Sequence, residues 1–251
     1  MSSITQRGAT GPLSIVANGA FQTSTDSSLA TLVGTRWDLS DGREVILANA
    51  SSATTVAAGK LYQDPAEITN HQDLTVTAYQ AYSANGNVPA KVTVTLGATA
   101  VVANQYAGGF VAVNDNNGEG QTLRIASHPA ADLSASLAIT LEEGATVAIT
   151  TASQVSLLPP HGKNVIITPT AVTGAIVGVS LYAIAASSYG FFVSKGVVTC
   201  LGDGTITVGS SISPSNAVAG AVENGVLAQG IVGNATQTGV DTEYRGIFIN
   251  V

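Results

Sequence analysis

The chain is short of charge, of aromatic rings and of sulfur. Charged residues make up 10 % of its 251 positions and aromatics 5 %, and cysteine and methionine occur once each. A single Cys200 cannot close an intrachain disulfide, so a small stapled secreted scaffold is excluded. Nine Lys and Arg stand singly against 16 Asp and Glu, for a net charge of −7. No basic stripe is present to displace counterions from phosphates, so nucleic acid is not expected as a direct partner. Low charge combined with 45 % hydrophobic residues is the reverse of a disordered composition. What the chain does have is 27 Gly and an abundance of Ala, Ser, Thr and Val, which argues against a helix-rich body.

The opening MSSITQRGATGPL has no basic region followed by an apolar run, so no secretory signal is expected. One long uncharged stretch, 163–195, tests for a membrane span. Pro169, Gly174, Gly178 and Gly190 interrupt it, and Thr173 and Ser180 fall inside its most apolar part. A buried β-hairpin fits those interruptions better than a spanning helix of about 20 apolar residues. No membrane contact is expected.

Periodicity places strands from Trp37 onward. Asp41-Gly42 is a hairpin dipeptide followed by Val45, Ile46 and Leu47. Residues 91–96 (KVTVTL) alternate strictly, as a half-buried strand does. Residues 109–114 (GFVAVN) run into a turn-rich tip over 115–120 and return as TLRIAS over 122–127. Further strands are expected over 145–151, 163–168, 191–201, 205–208, 226–232 and 244–251. Residues 129–143 read two ways, because Leu133, Leu137 and Leu141 have helical spacing while Leu137, Ile139 and Leu141 share one face of a strand. A short helix or turn over 129–135 and a strand over 137–143 accommodate both. Residues 41–62 and 196–221 share an order of strand, polar link, small residues and a glycine opening the next strand, too degenerate to establish duplication.

The expected class is all-β, sandwich- or barrel-like, with many short antiparallel strands. Residues 1–35 lack periodicity and read either as a flexible terminus or as an extended N-terminal arm that orders against a partner. Residues 36–251 form the β-rich body. If that body consists of two packed β subdomains, the break is expected near 155–163.

Catalytic patterns are missing. There is no Gly-x-Ser-x-Gly elbow and no phosphate-binding glycine loop; Gly118 and Gly120 are a fragment without the third glycine or a following helix. His71, His128 and His161 lack metal-ligand spacing, so no metal and no cofactor is expected. Asn114, Asp115, Asn116, Asn117 and Glu119 make an oxygen-rich tip, but not in the register of a calcium loop. Cys200, in an apolar strand, reads as a small buried hydrophobe. Glu142 and Glu143 would face opposite sides of a strand. No catalytic residue is assigned.

Three stretches carry a resemblance: 97–127 (GATAVVANQYAGGFVAVNDNNGEGQTLRIAS), 189–204 (YGFFVSKGVVTCLGDG), and the C-terminal strings AVAGAVENGVLAQGIVG and EYRGIFINV at 217–233 and 243–251. They resemble a family of head-associated structural proteins of tailed bacteriophages, the capsid decoration or cement proteins. The resemblance implies a non-enzymatic virion protein, made in the bacterial host cytoplasm and placed on the outer surface of the capsid. It implies a homotrimer that binds the major capsid protein and stabilises the icosahedral shell. A head-fibre, tail or receptor-binding virion protein is the alternative. A sugar-binding module would instead show Trp37, Tyr62, Tyr79 and Tyr82 clustered and exposed beside carboxylates. A bacterial surface adhesin would need an export signal.

Overall fold

The computed structural model describes residues 4–6, 16–17, 20–21, 23–84 and 87–251. In chain order the strands are β1 (Ile4–Gln6), β2 (Val16–Ala17), β3 (Ala20–Phe21), β4 (Arg36–Leu39), β5 (Glu44–Asn49), β6 (Leu61–Gln63), β7 (Leu74–Gln80), β8 (Lys91–Thr95), β9 (Phe110–Asp115) and β10 (Thr122–Ser127). They continue as β11 (Ser136–Leu141), β12 (Gln154–Leu158), β13 (Ile166–Ile167), β14 (Ile176–Ser180), β15 (Tyr189–Leu201), β16 (Ser211–Pro214), β17 (Val222–Asn224), β18 (Gly233–Ala235) and β19 (Tyr244–Asn250). Helix is confined to 3₁₀ turns at Ser27–Leu32, Thr69–His71 and Leu227–Gln229 among the described residues. The protein is all-β.

Two crossings divide the chain, where a single break near 155–163 was expected. One unit is Met1–Ala66 with His161–Val251, and the other is Glu67–Pro160, inserted between those halves. Composition does not change at either crossing, which is why the first crossing left no trace in the sequence.

The inserted unit is a closed six-stranded barrel in the order β10-β11-β8-β7-β12-β9. Strict alternation builds it: Val92 and Val94 on β8, Leu137, Ile139 and Leu141 on β11, and Val111 and Val113 on β9 all point into one core. Closure removes free strand edges, which otherwise invite pairing with other chains. The thinnest seam joins β12 to β7, with just Gln154 opposite Thr75 and Val155 opposite Leu74.

The other unit is an antiparallel sheet whose main path runs β1-β4-β5-β15-β19-β18-β16-β17, with β14, β6 and β13 branching from β15. Strand β15 changes character along its length. Gly190–Ser194 is buried on both faces, whereas from Lys195 on exposed and buried residues alternate. The sequence carries this change, since an unbroken apolar run (YGFFV) suits a strand covered on both sides and alternation suits one covered on one side. Accordingly Phe191 and Val193 join the core of Trp37, Leu47 and Ile249, while Phe192 joins a second core with Ile46, Tyr62 and Val177. Trp37 meets Phe191 edge to face at 5.3 Å, and Tyr62 meets Phe192 at 5.4 Å. The switch in burial coincides with a bulge between Val193 and Lys195, where β15 passes from pairing β5 to pairing β19.

Of the arm expected over 1–35, residues 1–3, 7–15, 18–19 and 22 lie outside the described residues. Within it, β1 pairs with β4. Residues 23–35 belong to the body rather than to an arm: Asp26 caps the turn at Ser27–Leu32 by accepting from Ser28 N–H at 2.9 Å, and Leu29 is buried in the core.

One device recurs. Isolated antiparallel bridges join Val56 to Ile184, Ile206 to Gly239 and Val101 to Ala131. Three residues after Val56, Ala131, Ile184, Ile206 and Gly239 stands a left-handed residue, respectively Gly59, Ser134, Ser187, Gly209 and Thr242. A strand opens two residues later in every case. Three of these turns close with bonds Ala135 N–H to Asp132, Ser188 N–H to Ala185 and Ser210 N–H to Thr207, and positive φ at the third position is what a type II turn requires. The similarity seen between 41–62 and 196–221 is this turn, in its Gly59 and Gly209 forms.

Several expected strands are corrected. Residues 145–151 are irregular, and the strand follows at β12. Residues 205–208 supply the Ile206 bridge and the turn at Gly209 instead of a strand. Residues 226–232 hold the Leu227–Gln229 3₁₀ turn and Gly230 at φ 76°, which ends any extended run. Residues 129–135, expected as a short helix or turn, are a bridge and turn leading into β11. Short β-branched runs satisfy their backbone in single bridges as readily as in ladders, and their propensity does not separate the two.

Candidate functional site

The three histidines are structural side chains in two places. In the barrel, buried His71 accepts the Tyr106 hydroxyl at Nδ1 (2.7 Å) and donates from Nε2 to the Thr99 carbonyl at 3.0 Å. That tautomer follows from the partners, because a carbonyl only accepts. His128 completes the cluster: its Nε2 accepts from Tyr106 N–H at 2.9 Å and its Nδ1 donates to the Pro129 carbonyl at 2.8 Å. Both rings pin the 101–109 segment that leads into β9. Burial pushes the Tyr106 hydroxyl up to about 12.

His161 lies in the other unit. Its Nδ1 pairs with Asp64 Oδ2 at 2.6 Å, and Asp64 Oδ1 accepts from Gly162 N–H at 2.8 Å. Asp64 precedes the first crossing and His161 follows the second. One carboxylate therefore fastens together the two ends from which the inserted unit departs. Among the described residues, no group of three or more His, Cys, Asp or Glu is placed to hold a metal ion.

Cys200 is fully buried on the inner face of β15, and burial pushes its thiol up to about 12. A thiol so far from its thiolate form is no nucleophile at neutral pH. In the oxygen-rich tip, Asn114, Asp115 and Asn116 spend their side-chain groups on neighbours. Asn114 Nδ2 donates to Asp73 Oδ1 at 2.6 Å and to Ser156, and Asn116 N–H donates to Asp115 at 2.8 Å. Glu142 and Glu143 do not face opposite sides, because β11 ends at Leu141. Glu142 approaches Arg124 Nε at 3.6 Å and Glu143 accepts from Arg124 N–H at 3.1 Å. The four aromatics of a sugar platform are not gathered: Trp37 and Tyr62 are buried in one unit, and Tyr79 and Tyr82 belong to the other.

What the structure does present is a surface on the paired strands β15 and β19. Alternation sends Val198, Cys200, Ile247 and Ile249 inward and leaves Val197, Tyr244 and Phe248 outward. Val197 is 54 % exposed and sits opposite Phe248, while Tyr244 sits opposite Leu201. The Tyr244 ring lies against the Cα of Gly59, where an added Cβ would come within 2.6 Å of it. Beside this strip opens a cleft of about 540 Å³ lined by Arg43, Gly59, Ser180, Leu181, Val197 and Tyr244. Arg43 is held there by Asp41 at 2.6 Å, and its stem covers Gly196. These outward residues were not singled out from the sequence. The available signal was an aromatic at every fourth residue of EYRGIFINV, out of phase with Ile247 and Ile249.

No helix among the described residues is long and apolar enough to cross a membrane. No protein-family model, no curated protein and no solved structure matches the chain.

Proposed function

We propose that the chain is a non-enzymatic virion structural protein that decorates and stabilises the icosahedral capsid of a tailed phage. In this reading it sits on the outer surface of the shell, assembles as a homotrimer and binds the major capsid protein. The observation that carries the reading is the outward apolar strip of Val197, Phe248 and Tyr244 beside its open cleft. It lies on β15 and β19, two of the segments whose strings resemble decoration proteins. Exposed apolar groups that line up on a rigid sheet mark an interaction surface more often than scattered ones do. The polar groups gathered at the histidines and at Asp64 hold loops in place, which suits a protein whose task is mechanical.

Closed three-fold assembly would present that strip several times to the lattice, so weak contacts add through avidity. The test is saturation binding of the purified full chain to expanded shells that lack it. Binding should saturate in whole trimers and raise the temperature at which shells burst. Phe248→Asp should weaken binding at least about tenfold, the equivalent of 1.4 kcal/mol, while leaving the fold intact. Shells that neither bind the chain nor gain stability would contradict the reading.

A further inference from the structure

We propose that Asn117 is a site of spontaneous deamidation and isoaspartate formation, and that the fold protects a second Asn-Gly pair at Asn224 from the same reaction. The sequence contains four Asn-Gly dipeptides, at Asn18, Asn85, Asn117 and Asn224. The first two lie outside the described residues. Glycine after asparagine opens the reaction because no side chain shields the following amide nitrogen.

The steps balance without any oxidant. The Gly118 amide nitrogen attacks the Asn117 side-chain carbonyl carbon and closes a five-membered imide. The bond to the side-chain nitrogen breaks, and that nitrogen leaves as ammonia carrying the proton released by the Gly118 amide. Water then opens the imide at either carbonyl, giving aspartate or isoaspartate at position 117.

Two observations set Asn117 apart. Its side chain is exposed at the β9–β10 tip and has no hydrogen bond among the described residues, and no backbone carbonyl there accepts from Gly118 N–H. Neither reacting group is tied by a hydrogen bond of its own, although the turn that carries them is closed by Glu119 N–H to the Asn116 carbonyl at 3.1 Å and by Ser153 Oγ to the Asn117 carbonyl at 2.6 Å. The glycine itself is fixed by the turn: Gly118 has φ 83°, and a Cβ there would stand 2.7 Å from Gln121 Nε2 and 3.3 Å from Ile149 Cγ1. The fold therefore maintains a reactive dipeptide at this tip.

At Asn224 every reacting group is tied. Gly225 N–H donates to the Ser211 carbonyl at 2.8 Å, Asn224 Nδ2 donates to Thr205 at 2.8 Å, and Asn224 Oδ1 accepts from Thr207 N–H at 3.3 Å. All three bonds must open before the ring can close. Taken at the usual net strength of such bonds, they slow the reaction about 100-fold relative to an open site.

Conversion at 117 has a local consequence. It adds a carboxylate to a tip that already carries Asp115 and Glu119. Isoaspartate also reroutes the backbone through Cβ and Cγ, which adds one methylene to the chain and turns the Asn117 main-chain carbonyl, the acceptor of Ser153 Oγ at 2.6 Å in the unreacted protein, into a pendant carboxylate.

The experiment holds the folded full chain in warm, mildly alkaline buffer and follows each peptide by mass spectrometry, with isoaspartyl methyltransferase labelling as the second readout. Exchange of amide for carboxylate should accumulate at Asn117 about 100-fold faster than at Asn224. In urea-unfolded chain the two sites should react at similar rates, and Asn117→Gln should abolish the signal at 117 without changing Asn224. Equal rates at the two sites in the folded protein would overturn the proposal. So would an inert Asn117 in folded protein whose unfolded form reacts.

Discussion

Tyr106→Phe tests whether the barrel is a cooperative unit with its own hydrogen-bonded anchor. The hydroxyl donates to His71 Nδ1 at 2.7 Å, and both rings are buried. Phenylalanine keeps the ring and its edge contact with His71, so little cavity forms. What is lost is the sole donor to a buried acceptor, which costs about 1–3 kcal/mol. The unit spans Glu67–Pro160, and for a domain of that size each kcal/mol lowers the melting midpoint by about 4–8 °C. A fall of roughly 10 °C is therefore expected for the barrel. The chain supplies its own reporters. Its single tryptophan, Trp37, is buried against Phe191 in the other unit, so tryptophan fluorescence follows that unit. Hydrogen exchange of β8, β9 and β11 follows the barrel. Protection in those strands should fall while the Trp37 transition stays in place. An equal shift of both would refute separate cooperativity, and unchanged protection in the barrel would refute the assigned hydrogen bond.

Three further outcomes are expected. Gly178→Ala should destabilise the discontinuous unit by more than about 3 kcal/mol, because φ is 146° and the new Cβ would lie 2.3 Å from the Val193 carbonyl oxygen; an unchanged Trp37 unfolding curve would contradict it. Asp64→Ala should speed exchange of the Gly162 amide and lower the stability of that unit by about 1–2 kcal/mol, since one carboxylate holds both His161 and Gly162; unchanged exchange would show that the clamp is slack. Alkaline pH should destabilise the fold. Tyr106 and Tyr182 rise from 10.0 to about 12 and Cys200 from 9.0 to about 12, all chiefly through burial. The folded chain then holds protons that the unfolded chain releases, so this stability is complete below pH 9 and is lost as pH climbs towards 12. Urea midpoints that stay flat between pH 9 and 12 would contradict that sign.

The sequence was most legible where local pattern and tertiary role coincide. KVTVTL became β8, with Val92 and Val94 inward, and the two runs around the 115–120 tip became the β9–β10 hairpin. Asp41-Gly42 turned β4 into β5, with Gly42 at φ 83°. The long β15 and the closing β19 stood where their apolar alternation placed them. Failures came where backbone groups are satisfied outside ladders. Ile206 looks like a strand residue and makes a single bridge, whereas the turn and strand expected within 129–143 stand as the Ala131 bridge, the turn at Ser134 and β11. The first crossing, between Ala66 and Glu67, could not be read, since both units have the same small-residue β composition, whereas the second falls inside the break expected near 155–163. The clamp of Asp64 on His161 and the His71–Tyr106–His128 cluster join residues far apart in the chain, and only folding reveals them. The outward strip on β15 and β19 was visible as phase but not as meaning, because exposure depends on what covers a face.

The central claim is that this chain clads a phage capsid. It is tested most directly by counting the chain against the major capsid protein in purified virions, using quantitative mass spectrometry with labelled standard peptides. Decoration of the whole shell predicts a ratio near one to one, or one trimer at each local three-fold position. A handful of copies per particle, or none, would contradict it.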